Sequence, residues 1–123
     1  MATNNAKKNA LQILEVGLIA AEPKNFLKFY INKNEIHIGK YRKILSNYEK
    51  ILVVSYGKAA DSMAKSVSEI VDVSQGIVVI PKYAKSCLTN KNFKIFYSGH
   101  PVPNKESVRA GKAVLKFVNN RSN

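Results

Sequence analysis

Two short stretches of this 123-residue chain hold the residue types from which an anion site is built. The first is Ser55-Tyr-Gly57-Lys58, which follows the run Ile51-Leu-Val-Val54 and precedes Ala59-Ala60-Asp61-Ser62-Met63. The apolar run reads as a strand buried on both faces, and the residues after it read as a helix. Gly57 permits a sharp turn between them. Backbone N–H groups at a helix start, with the positive end of its dipole, attract anions. Lys58 adds a full positive charge. That charge is mildly unfavourable against the dipole, so an anion contact is favoured over a solvated lysine. A phosphate, a carboxylate or a nucleotide would satisfy it.

The second stretch is Ser98-Gly-His-Pro-Val-Pro103, which also follows a strand and precedes a helix. It therefore falls on the same carboxyl edge of a sheet, where ligands of open α/β folds collect. His100, fixed between Gly99 and Pro101, can hydrogen-bond a ligand or exchange a proton. A rigid loop whose histidine satisfies nearby backbone groups is the alternative. Lys82-Tyr83 follows another strand at that edge; Lys82 reads as a surface lysine first and a ligand contact second. Gly57, Lys58 and His100 are thus the candidate binding residues, with Ser55, Lys82 and Pro101 beside them. One glycine before Lys58 matches neither a dinucleotide fingerprint nor a P-loop. His37, His100 and Cys87 make no metal site, His37 reads as structural, and no Ser-His-acid arrangement can be read from spacing.

The elements that position these residues follow from periodicity. Residues 5–22 predict a helix with Leu11, Leu14, Leu18 and Ala21 on a core-facing stripe. Gln12, Glu15 and Gly17 interrupt its apolar run, which argues against a signal peptide. Pro23 opens a second helix to about Ile31. Glu35-Ile-His-Ile38 predicts a hairpin arm closed by Gly39, and Tyr41–Lys50 is ambiguous. Strands are predicted over Ile51–Ser55, Gly76–Ile80 and Lys94–Tyr97. A helix over Lys58–Val71 presents Ala60, Met63, Ala64, Val67 and Val71. Asn104 caps a last helix with Val108, Gly111, Leu115 and Val118 on its packed face. This order implies one α/β domain with a parallel sheet and right-handed crossovers.

Composition narrows the function classes. A hydrophobic content of 46% suits a folded domain. A single cysteine excludes an internal disulfide and reads as a reducing, cytoplasmic setting. No apolar run is long enough for a membrane span. The net charge is +12. Its lysines are spread along the chain, with no arginine-rich arm, zinc-finger spacing or aromatic ribonucleoprotein motif, so nucleic acid is disfavoured as a partner.

Val53-Val-Ser-Tyr-Gly-Lys-Ala-Ala60 with Met63, Gly76-Ile-Val-Val79, Lys82-Tyr83 and Gly99-His-Pro-Val-Pro-Asn104 with Ala110 resemble, in order and separation, the N-terminal part of the glycerate 2-kinase family. Its members are often labelled hydroxypyruvate reductase or MOFRL-type. The resemblance covers nearly the whole chain. It implies a Rossmann-like sheet of about three strands with flanking helices, an incomplete N-terminal lobe (residues 1–123) of a two-domain enzyme. It implies transfer of the ATP γ-phosphate, with Mg²⁺, to the 2-hydroxyl of D-glycerate, in a cleft between two domains. The family's catalytic or substrate-contacting lysine falls on Lys58. Ser55 and Tyr56 stand where smaller residues are usual, and Ala84-Lys85 where Gly-His is common. Family members continue into a serine-glycine phosphate loop and a second domain. The expectation is therefore a fragment that is inactive alone, be it a cut piece, one part of a split gene or a gene remnant, with a second polypeptide as one candidate source of the missing part. Its first strand would lie at an open sheet edge. A non-catalytic module binding small anions or nucleic acid is the alternative. Hydroxypyruvate reduction is disfavoured, since no nicotinamide fingerprint is present.

Overall fold

The computed structural model describes residues 2–120, with side chains from residue 4 onward. Helix α1 (Ala2–Ala21) and the short α2 (Pro23–Leu27) lead into a hairpin of β1 (Glu35–Ile38) and β2 (Tyr41–Ile44), then a 3₁₀ turn over Leu45–Asn47. The α/β unit follows: β3 (Leu52–Tyr56), α3 (Ala60–Ile70), β4 (Gln75–Pro81), β5 (Phe93–Ser98) and α4 (Lys105–Asn119). The three strands form one parallel sheet in the order β3-β4-β5, as the sequence predicts.

The core lies between this sheet and α3. Val73, Val78 and Ile80 are its largest fully buried side chains, and Ala60 and Ala64 bring α3 close against them. Small residues allow that approach because no long side chain separates helix from strand. Gly76 serves the same end on β4, where an added Cβ would stand 2.3 Å from the Phe93 ring. β4 is central and buried on both faces, as its continuous apolar sequence predicts.

β3 departs from that expectation. Val53 and Ser55 are half-buried toward α3, but Val54 and Tyr56 on the opposite face are exposed. An apolar run alone does not distinguish a central strand from an edge strand, and β3 lies at the edge. The expected open edge is therefore present.

Three helix expectations also need correction. The apolar stripe of α1 is not buried; every residue from Asn4 to Ala21 is exposed. Its packing neighbour is α2, and periodicity tells which residues share a face, not what covers that face. α2 ends at Leu27 rather than near Ile31. Ile31 bridges Ile36, and the Tyr30 carbonyl accepts from the His37 N–H at 2.7 Å, so these residues leave the helix to extend the hairpin. On α4 the expected stripe Val108, Gly111, Leu115 and Val118 is exposed. Ser107, Ala110, Val114 and Phe117 face inward instead. Both stripes fit a helical period, and contact with the sheet selects the second one.

The ambiguous stretch after Gly39 resolves into β2. Gly39 has φ +58°, the left-handed conformation a tight hairpin turn needs. Arg42 and Glu35, across the hairpin, form an ion pair.

Candidate functional site

The parallel strands bring the turns after β3, β4 and β5 to one edge. Register pairs Tyr56 with Val79 and Pro81 with Ser98, so Gly57-Lys58, Lys82-Tyr83 and Gly99-His100 all emerge at the carboxyl ends. Each turn has a separate local cause.

Gly57 has φ +110°, a conformation other residues adopt only with strain. Its N–H donates to the Val79 carbonyl at 3.1 Å and its carbonyl accepts from the Ala60 N–H at 3.2 Å. Lys58 thus lies in the turn, two residues before the first helical residue, with its side chain exposed. The Ser55 hydroxyl donates to the Ala60 carbonyl at 2.9 Å, closing the strand onto the helix. Its proton is engaged within the turn.

The loop after β5 is held by the cap of α4. Asn104 and Ser107 form a reciprocal capping box. The Gly99 N–H donates to Asn104 Oδ1 and Ser107 Oγ, both at 3.1 Å. A side chain at Gly99 has no room, since an added Cβ would lie 2.6 Å from the Val102 carbonyl oxygen and 2.7 Å from Asn104 Cγ. The His100–Pro101 peptide bond is cis. His100 meets Tyr83 edge-on with ring centroids 6.1 Å apart. The turn carrying Lys82 is tied to this loop as well, because the Lys82 N–H donates to the Ser98 carbonyl at 2.9 Å.

A cavity of about 500 Å³ opens between the β3 turn and α4. Tyr56, Gly57, Val79, Ser98, Gly99 and Pro103 are among its lining residues. Lys58, Lys82 and His100 belong to the same edge but not to this lining. Two groupings therefore form: Gly57 faces Ser98-Gly99 across the cavity, while Tyr83 and His100 meet beside it.

Sequence reasoning missed Asp61. It is buried at 8% exposure in the first turn of α3. Its carboxylate accepts from the Ser86 hydroxyl, the Cys87 N–H at 2.6 Å and the Cys87 thiol at 2.9 Å. Burial pushes its carboxyl up, but the Cys87 and Ser86 hydrogen bonds, with Lys65 nearby, outweigh that and hold it below its ordinary value. The hydrogen bond to Asp61, then burial, pushes the Cys87 thiol up. Asp61 therefore ties the connection between β4 and β5, which begins with Lys82-Tyr83, to α3. No local signal marks it, since its partners lie 25 and 26 residues away.

The donor set at the edge is cationic and neutral. It suits an anion. Among the described residues no group of three His, Cys, Asp or Glu is placed to hold a metal ion. Asp61, the acid nearest the edge in sequence, is already saturated with donors.

Residues 9–123 match the family described as Domain of unknown function (DUF4147). The chain belongs to this family. Other proteins with which it shares sequence are a glycerate 2-kinase of Pyrococcus horikoshii, 30% identical over 118 residues, and a D-glycerate 2-kinase of Thermotoga maritima, 30% identical over 114 residues. These alignments cover 89% and 91% of this chain but 26% and 24% of the relatives. The crystal structure of a glycerate kinase from Thermotoga maritima superposes with a TM-score of 0.74 at 27% identity, over 94% of this chain and 25% of that one. A Pyrococcus horikoshii crystal structure gives a TM-score of 0.75 at 26% identity, over 93% and 26%. This DUF4147 chain thus has the α/β fold of the N-terminal part of glycerate kinases and spans about a quarter of their length. No helix among its described residues is long and apolar enough to cross a membrane.

Proposed function

We propose that this chain supplies the anion-binding edge of a glycerate 2-kinase, and that residues 1–123 act as one lobe of a two-domain enzyme. The observation that carries this reading is the convergence of Gly57-Lys58, Lys82 and Gly99-His100 on one sheet edge in a chain 30% identical to glycerate 2-kinases.

The reaction would move the γ-phosphate of ATP to the 2-hydroxyl of D-glycerate, giving 2-phosphoglycerate, in a cytoplasmic setting. Substrate carboxylate and transferring phosphoryl group are both anionic, and Lys58 is exposed at the turn where either can meet it. Neutralising charge that builds in the transition state is the larger part of phosphoryl transfer catalysis. Gly57 leaves the approach open, since an added Cβ there would meet nothing within 4 Å. His100, braced by Tyr83, can hydrogen-bond the bound anion, and cis-Pro101 shapes the loop around it. ATP phosphates fit this cationic edge. Mg²⁺ does not, because the edge offers no carboxylate pair; no step here runs through the metal.

One lobe supplies one side of a cleft, and transfer needs positioned groups on both sides. The chain alone is expected to give no glycerate-dependent ADP. The test is a chimera in which this chain replaces the matched quarter of the Thermotoga maritima kinase, with the product identified by phosphorus NMR. Formation of 2-phosphoglycerate supports the reading. Folded chimera without phosphorylated glycerate refutes it.

A further inference from the structure

The connection from β4 to β5, residues 82–92, contains neither helix nor strand. Parallel strands are usually joined through a helix, whose own hydrogen-bond ladder fixes the connection. Without that ladder the segment takes its position from partners outside it.

Polar anchors stand at its start, middle and end. At the start the Lys82 N–H donates to the Ser98 carbonyl at 2.9 Å. At the end Asn92 Nδ2 donates to the Val73 carbonyl at 2.7 Å, and the Asn92 carbonyl accepts from the Gly76 N–H at 2.9 Å. The middle anchor is Asp61, which accepts from the Ser86 hydroxyl, the Cys87 N–H and the Cys87 thiol. Ser86 Oγ also accepts from the Leu88 N–H at 3.1 Å, so one carboxylate organises three consecutive residues. Tyr83 lies between the first two anchors, and its exposed ring meets His100 edge-on. A ring on such a segment keeps its place only as well as the flanking anchors keep theirs.

Asp61 is in turn fixed against the backbone that carries Lys58. The Ala60 N–H donates to the Gly57 carbonyl at 3.2 Å, and the Met63 N–H donates to the Ala59 carbonyl at 2.9 Å. The Lys58 turn and the first turn of α3 are thus one hydrogen-bonded unit. Asp61 is buried, so its effect on a ligand at the edge runs through the residues it holds.

We propose that Asp61 is a positioning residue for the anion edge. By holding Ser86 and Cys87 it sets the Lys82-Tyr83 turn, and through Tyr83 the His100 ring, against the turn that carries Lys58. An anion spanning Lys58 and His100 then meets both groups already placed, without first ordering the loop between them. The effect on binding rests on the kinase reading; the placement of His100 does not.

The 123-residue chain has two histidines, and His37 in the hairpin serves as an internal reference. The measurement is the NMR ring resonances of both in the unaltered chain and in Asp61→Asn, Ser86→Ala, Tyr83→Ala and Asn92→Ala. Tyr83→Ala gives the His100 shift that follows loss of the Tyr83 ring. Asp61→Asn is expected to move His100 in the same direction, and Ser86→Ala less far, with His37 unchanged. Asn92→Ala removes the anchor at the opposite end of the sheet and is expected to lower stability with His100 in place. In the chimera, changing Asp61 or Tyr83 is expected to lower kcat/KM about tenfold through KM, and the double change no further than either alone. Unmoved His100 resonances in folded Asp61→Asn and Ser86→Ala overturn the proposal. So does an equal shift in Asn92→Ala, or losses from Asp61 and Tyr83 that multiply in the chimera. If Asp61→Asn does not fold, Ser86→Ala decides. A chimera without turnover counts against the kinase reading alone, and the His100 resonances still decide this proposal.

Discussion

Replacing Asp61 by asparagine tests whether one buried carboxylate holds the connection between β4 and β5 in place. Three donors converge on it: the Ser86 hydroxyl, the Cys87 N–H and the Cys87 thiol. Asparagine keeps the shape but offers one acceptor oxygen and turns an NH₂ group toward the remaining donors. A hydrogen bond to a charged group contributes about 1.5–3 kcal/mol, and the donors released from exposed Cys87 can turn to water. The three bonds share one carboxylate and do not simply add. The expected cost of Asp61→Asn is therefore about 1.5–3 kcal/mol near neutral pH. The pH dependence has a definite sign. The folded state holds the Asp61 carboxyl below its ordinary value, so its contribution is full above the unfolded carboxylate range. It is lost as pH falls from there through the lowered folded value. Urea denaturation at neutral and acidic pH should show a gap between the two proteins that closes in acid. A gap under about 0.5 kcal/mol at neutral pH, the ordinary range of surface substitutions, would refute the reasoning. So would a gap that persists unchanged in acid.

Two further outcomes follow from the same geometry. Gly99→Ala should destabilise the chain by about 1–3 kcal/mol, because its Cβ would press on the Val102 carbonyl and the Asn104 cap; chemical denaturation measures the cost, and histidine NMR shifts should report a displaced His100. Cys87 is exposed, yet its hydrogen bond to Asp61 pushes its thiol up, so iodoacetamide should label it more slowly at neutral pH than a free cysteine peptide. Asp61→Asn should speed that labelling, and equal rates in both proteins would remove Asp61 as its cause.

The α/β order was legible because its signals are local. Gly76 to Ile80 is apolar throughout, Pro81 follows it, and Asn104 stands three residues before Ser107, so strand and cap needed no tertiary information. The site edge was legible for the same reason, since strand-to-helix turns of a parallel sheet emerge on one side. What failed depended on covering partners. The two apolar stripes of α4 both satisfy helical period, and only the sheet decides that Ala110 turns inward while Leu115 stays exposed. The α1 stripe failed in the same way. Asp61 was invisible because a buried acid is explained only by its donors, and those come from a loop across the fold.

The central claim is that Lys58 does its work by charge, at the carboxyl edge of this sheet. The direct measurement is kcat/KM of the chimera with and without Lys58→Met, beside the melting temperature of each. The side chain is exposed, so the fold should be indifferent to the change. Loss of one charge-stabilising contact in such a site should lower turnover about 10²–10³-fold. A fall of that order at unchanged melting temperature is the predicted result, and near-normal turnover in the folded variant would contradict the account.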